Sequence, residues 1–246
     1  MLWTNHSSNV GQHAMFSPSS PAYLNCTPEE FKTRMGNKMR SALGTEIHEW
    51  CYYRILEFEK VSSAREVLKG VKEHIFKKKY LTDERVLSRE GKRLINGLAY
   101  LPSEVFETAK KYVNDSIVFR MDPEVVLQYS PRTFGTVDSI SFSNNFLRIH
   151  DLKTGSTPAH IEQLMGYDAY FCLEYDVDPN YIQHELRIYQ NNDILVHSPT
   201  GPEIKDLMNK IVIFDGLQKE FEEDWYLWVL MTIMTTYSMI FMTMNT

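Results

Sequence analysis

The stretch "RIHDLKTGSTPAH", residues 148 to 160, ends a β-branched run on Asp151, Lys153 and a glycine turn. On a strand, Asp151 and Lys153 stand two apart and share one face. A carboxylate and an ammonium there form either a simple ion pair or half of a metal-dependent hydrolytic site. A second acid, Asp138, lies in the preceding strand-like segment "FGTVDSISFS". A two-residue turn at Asn144-Asn145 pairs Ser143 with Phe146 and carries Asp138 opposite Asp151. Their Cβ atoms would then be roughly 5 Å apart. Two like charges at that distance destabilise the fold unless a cation lies between them. Lys153 neutralises one; a hard divalent ion, Mg²⁺ or Mn²⁺, neutralises both. For an isolated pair, a protonated or solvent-exposed couple at a sheet edge is the plainer reading.

The pair has company. "QLMGY" places Gln163 and Tyr167 at i, i+4 on one helix face, and "LGTEIHEW" places His48 on an early helix behind a Gly-Thr turn. Four motifs therefore follow one another: Gly44 with His48, Gly135 with Asp138, Asp151 through Lys153 and Thr154 to Gly155, and Gln163 with Tyr167. Over about residues 20–190 this resembles the RecB-like exonuclease branch of the PD-(D/E)XK nuclease superfamily, and the opening "SPSSPAYLNC" and "GTEIHEW" look most like phage-encoded members.

The resemblance implies a restriction-endonuclease-like α/β core and a metal-dependent DNA exonuclease of recombination, repair or replication. It implies Mg²⁺ or Mn²⁺ held by His48, Asp138, Asp151 and the Leu152 backbone oxygen. Lys153 would orient or deprotonate the attacking water, or offset charge in the transition state. Gln163 and Tyr167 would organise the site and contact DNA, and Thr154 would touch phosphate. Glu124, ahead of "VVLQY", corresponds to a glutamate that many relatives carry near the metal, as a second-shell or second-metal residue. His160 and Tyr170 share the helix face but match no motif. Several relatives bind an iron–sulfur cluster through one early and three late cysteines. Here Cys26 is early, no trio follows, and Cys172 stands alone, so no cluster is expected. No "GxxxxGKT" phosphate loop is present, so no ATP site is expected, and any helicase or recombination motor would be a separate partner.

The elements that must position these residues fall into two halves. Thr27, Pro28 and Glu30 predict a capped helix start, with helix to about Phe58 and a break near Gly44. Further helices are expected over residues 62–79, 83–100 and 102–114. The pattern then changes to β-branched and aromatic runs, "SIVFRM", "EVVLQYS", "FGTVDSISFS" and "FLRIHDLKT". A helix over 159–175, two strands joined by "NND" and a helix over 201–224 complete an α/β domain with a mixed central sheet. The expected organisation is a flexible arm (1–25), one nuclease domain (26–224, helical over 26–115 with the sheet core over 116–200) and an apolar tail (225–246).

Composition bounds the partners. The 246 residues carry a net charge of −6, so the chain is no bulk polycation. Residues 60–93 nevertheless hold eleven Lys/Arg against five acids, a local track for a single strand or a duplex end. Residues 201–224 hold three Lys against seven acids. Three widely spaced cysteines form no disulfide framework or metal knuckle and suit a reducing, cytoplasmic setting, the host's if the chain is viral. The N-terminus lacks the basic and apolar regions of a secretory signal. Residues 225–244 hold no charge and reach the length of a membrane span. Their five Met, four Thr and one Ser favour a buried or partner-facing helix over an anchor. A second functional class stays open beside the enzyme: a catalytically weak DNA-binding or assembly subunit that keeps the fold.

Overall fold

A computed structural model describes residues 25–79 and 87–243, with side chains described for 25–77 and 87–226. The expected N-terminal arm and the start of the expected third helix lie outside the described residues. The first helix, α1, runs Pro28–Leu56 from a complete capping box: the Thr27 backbone N–H donates to Glu30 Oε2 at 2.7 Å and the Glu30 N–H donates to Thr27 Oγ1 at 3.2 Å. The expected break near Gly44 does not occur. A helix-interior glycine costs about 1 kcal/mol relative to alanine, but Leu43, Ile47, Trp50, Cys51 and Ile55 bury one continuous stripe across it. Helix α2 (Ala64–His74) passes into a π-helical turn at Ile75–Lys79, and α3 (Arg89–Leu98) and α4 (Ser103–Val118) follow.

The run "SIVFRM" is not a strand. Ser116 and Ile117 extend the buried face of α4 begun by Thr108, Ala109, Tyr112 and Val113, and the Ser116 and Ser139 hydroxyls lie 3.1 Å apart. The helix period outweighed local β-propensity, and the turn after it is closed by Arg120 at φ 53°.

Five strands form one mixed sheet in the order β1 (Asp122–Ser130), β2 (Thr133–Ser143), β3 (Phe146–Leu152), β4 (Gln183–Gln190), β5 (Asp193–His197). β1, β2 and β3 form an antiparallel meander. Helix α5 (Glu162–Glu174) is the crossover that returns the chain parallel to β3 as β4, and β5 closes antiparallel. The β2–β3 turn is Asn144-Asn145, at φ 53° and 57°, as a two-residue hairpin requires.

Each sheet face carries its own core. Leu152 and Tyr189 join the stripe of α1–α4. Leu147, Ile149, Leu186 and Ile188 pack with Leu164, Ala169 and Phe171 of α5 and Ile204 of the last helix. That helix, α6, is continuous over Gly201–Thr243, so the expected boundary at 224 is not a break in secondary structure. Among the described residues no helix is long and apolar enough to cross a membrane.

Candidate metal centre

The site forms where β1, β2 and β3 meet α1 on one side and α5 on the other. The β2–β3 register is the one the turn dictates, from Ser143 opposite Phe146 to Ser139 opposite His150. One step further the regular ladder stops. There the Asp138 carboxylate itself takes the Leu152 N–H at 2.7 Å, standing in for a backbone carbonyl. Desolvation raises Asp151, and Asp138 remains close enough for its charge to add to that rise, while the Asp138 side chain also holds the Leu152 N–H.

The same carboxylate also meets His48, with Nδ1 to Oδ2 at 3.5 Å. The β1–β2 register places Glu124 beside Asp138, between the Pro123–Ser139 and Val125–Val137 pairs. Ligand atoms of His48, Glu124 and Asp138 all lie within 4.8 Å of one another. Glu124 adopts φ 53° inside its strand, a conformation that a non-glycine residue holds only where surrounding structure imposes it. Sequence reasoning underweighted this residue; the β1–β2 pairing, which no local turn announces, is what reveals it.

Asp151 does not complete the tight set of three. Lys153 Nζ donates to its Oδ1 at 2.9 Å and to Gln163 Oε1 at 3.1 Å, and Gln163 Nε2 reaches Tyr167 OH at 3.5 Å. The second oxygen of Asp151, Oδ2, is buried without a hydrogen-bond partner. A carboxylate oxygen so placed costs free energy unless a cation or proton meets it. On a strand a residue's N–H and C=O point to the same edge. Since the Leu152 N–H faces Asp138, its carbonyl faces the site as well.

Two motif glycines explain themselves here. A Cβ on Gly44 would stand 2.6 Å from Thr154 Oγ1, and one on Gly135 would stand 2.8 Å from Tyr167 Cε1. The first lets α1, with His48 one turn on, lie against the end of β3. The second lets β2 lie against α5. Thr154 thus packs on α1.

Electrostatics follow from burial. Asp138 is pushed up to about 6 by desolvation, opposed by the Leu152 N–H and by Lys153. Asp151 is likewise pushed up to about 6, by desolvation and then by the Asp138 charge, with Lys153 and His48 opposing. Glu124 is raised by desolvation and by Asp138. Burial lowers His48, against the attraction of Asp151 and Glu124, which keeps the imidazole neutral and free to ligate. Clustered carboxylates, an imidazole held neutral by burial and a bare carboxylate oxygen are groups that could bind a metal ion.

This chain belongs to the family described as "Protein of unknown function (DUF2800)". The family's model matches residues 13–170. The match spans His48, Glu124, Asp138, Asp151, Lys153, Gln163 and Tyr167, and ends inside α5. No curated protein matches the chain, and no solved structure does.

Beside this cluster a cleft of about 360 Å³ is lined by Thr45, His48, Glu49, Tyr52, Tyr53 and Glu124. Tyr52 and Tyr53 meet edge to face, 5.1 Å between centroids. The sequence offered no motif for this pair. Their position one turn after His48 on α1 was the available signal.

Proposed function

We propose that the chain is a divalent-metal-dependent deoxyribonuclease: an exonuclease of the RecB-like PD-(D/E)XK type, acting in DNA recombination, repair or replication. One observation carries the reading: residues far apart in sequence, His48, Glu124 and Asp138, bring ligand atoms within 4.8 Å, beside an Asp151 oxygen that is buried without a hydrogen-bond partner.

In this reading His48, Glu124, Asp138, Asp151 and the Leu152 carbonyl hold Mg²⁺ or Mn²⁺. Such an ion, when bound, acidifies water and takes up charge on the scissile phosphate. Lys153 supplies the general electrostatic partner. An ammonium has three N–H donors; two are held by Asp151 and Gln163, which leaves one to orient the attacking water or stabilise the phosphate oxygens. Gln163, held in turn by Tyr167, fixes where that third donor points. The Tyr52–Tyr53 cleft offers aromatic faces on which a terminal base can stack. Exposed Lys69 of α2, Lys77 of the π-helical turn after it, and Arg89, Lys92 and Arg93 of α3 supply cationic side chains along the helical layer for the phosphate backbone.

The test is degradation of end-labelled linear DNA, single-stranded and duplex, with Mg²⁺ or Mn²⁺, in wild type, Asp151→Ala and Lys153→Ala. Metal-dependent loss of label in wild type alone is the expected result. DNA binding without cleavage in either metal would instead make the chain a binding or assembly subunit.

A further inference from the structure

A second cluster of metal-ligating side chains lies on another face of α1. Glu46 and Glu49, at i and i+3, project together toward α2, whose last residue is His74. His74 Nε2 lies 3.8 Å from Glu46 Oε2 and 3.5 Å from Glu49 Oε2, and one ligand atom from each of the three falls within 4.8 Å of the others. Glu46 and His74 are 2% and 6% exposed. The Nε2 atom of His74 is buried and has no hydrogen-bond partner.

We propose that Glu46, Glu49 and His74 form a second metal site, for a divalent transition-metal ion of the Zn²⁺ or Mn²⁺ type, separate from the candidate nuclease centre. The distances decide between a hydrogen bond and a shared ion. An N–H···O bond spans about 2.7–3.2 Å, and both separations are longer. Two ligands each about 2.1 Å from a tetrahedral ion stand about 3.4 Å apart, close to both observed separations. One imidazole with two carboxylates is a donor set that suits a transition-metal ion such as Zn²⁺. Three protein ligands leave a fourth position for water. His74 also lines a cavity of about 430 Å³ with Trp50, Tyr53, Glu66 and Glu73, which gives the ion an entry path.

The placement gives the site a task. Successive α-helical residues project about 100° apart, so His48 leaves α1 on a different side from the Glu46–Glu49 pair. An ion bound by that pair and His74 would clamp α2, with its lysines, onto the helix that carries His48. It would hold the basic layer and the nuclease centre in fixed relation.

The test uses the full chain carrying Asp138→Asn and Asp151→Asn, so that the nuclease centre no longer supplies its carboxylates. Zn²⁺ is titrated and bound metal is counted after desalting; Co²⁺ substitution reads imidazole ligation from its visible absorption. The expected result is one retained equivalent. Adding His74→Gln, or separately Glu49→Gln, should weaken it by more than the 10- to 100-fold typical when a group hydrogen-bonded to a ligand is removed. Circular dichroism establishes that each variant folds. Glu49 is partly exposed, so its replacement keeps the test decisive should the core not tolerate His74→Gln. No retained zinc in the parent, or undiminished retention in a folded Glu49→Gln or His74→Gln variant, overturns the assignment. Because the readout is metal content in a chain whose nuclease centre is disabled, it is independent of DNA cleavage: zinc retention here with no DNA cleavage by the wild type would sink the nuclease reading alone.

Discussion

Replacing Asp138 with asparagine should make the metal-free protein more stable at neutral pH while abolishing the proposed DNA cleavage. Asp138 and Asp151 are both pushed from 3.8 up to about 6. A group whose folded pKa lies above its unfolded value contributes stability below the unfolded pKa and loses it as pH rises through the folded one. At about 1.4 kcal/mol per unit, a rise of about two units costs roughly 3 kcal/mol at neutral pH, counted once because the two carboxylates share the effect. Asparagine mimics the protonated acid, and its amide oxygen can still accept the Leu152 N–H now held at 2.7 Å. With 1 kcal/mol worth about 2–4 °C at this chain length, Asp138→Asn should raise Tm at about pH 7.5 in EDTA by roughly 6–12 °C. The gap should shrink by roughly half at about pH 5 and close only below the unfolded value of 3.8. Adding Mn²⁺ should raise the wild-type Tm and leave the variant's nearly unmoved. Thermal melts at the two pH values, with and without metal, decide it. A variant that melts at or below wild type in EDTA at neutral pH would refute the claim that these carboxylates are held together against their own repulsion.

Other outcomes follow from individual side chains. Lys153→Ala should lower kcat by about 10²–10⁴-fold while Mn²⁺ affinity changes far less; a parallel collapse of metal binding would mean the lysine is structural. Gly44→Ala should cost about 1–3 kcal/mol through overpacking, because its Cβ would stand 2.6 Å from Thr154 Oγ1, and Thr154→Ala should relieve most of that cost in denaturant melts; additive losses would place the strain elsewhere. Lys69→Ala and Lys77→Ala together should weaken single-stranded DNA binding and flatten the log–log salt slope by about 0.7 for each phosphate no longer neutralised, so an unchanged slope would remove α2 from the DNA path.

The order of elements after residue 120 was written locally. Asn144-Asn145 tolerates positive φ, and that dipeptide set the β2–β3 register from Ser143 to Ser139. The Thr27 capping box started α1 where its residue types required. The i, i+4 spacing of Gln163 and Tyr167 placed both beside Lys153. Two local readings failed for the same reason. The stripes running through Gly44 and through Ser116 are satisfied only by packing against other elements, so neither a glycine nor a β-branched run could end the helix.

What the sequence determined alone was which side chains share a strand face, a turn or a helix stripe, because those relations depend on backbone period. Tertiary structure decided which of those faces meet. Asp138 takes the Leu152 N–H, Glu124 enters from β1, and Glu49 and His74 meet across two helices. Such distances depend on how the helices and the sheet settle against one another. That packing is fixed by burial summed over the whole core, which no short window of sequence contains.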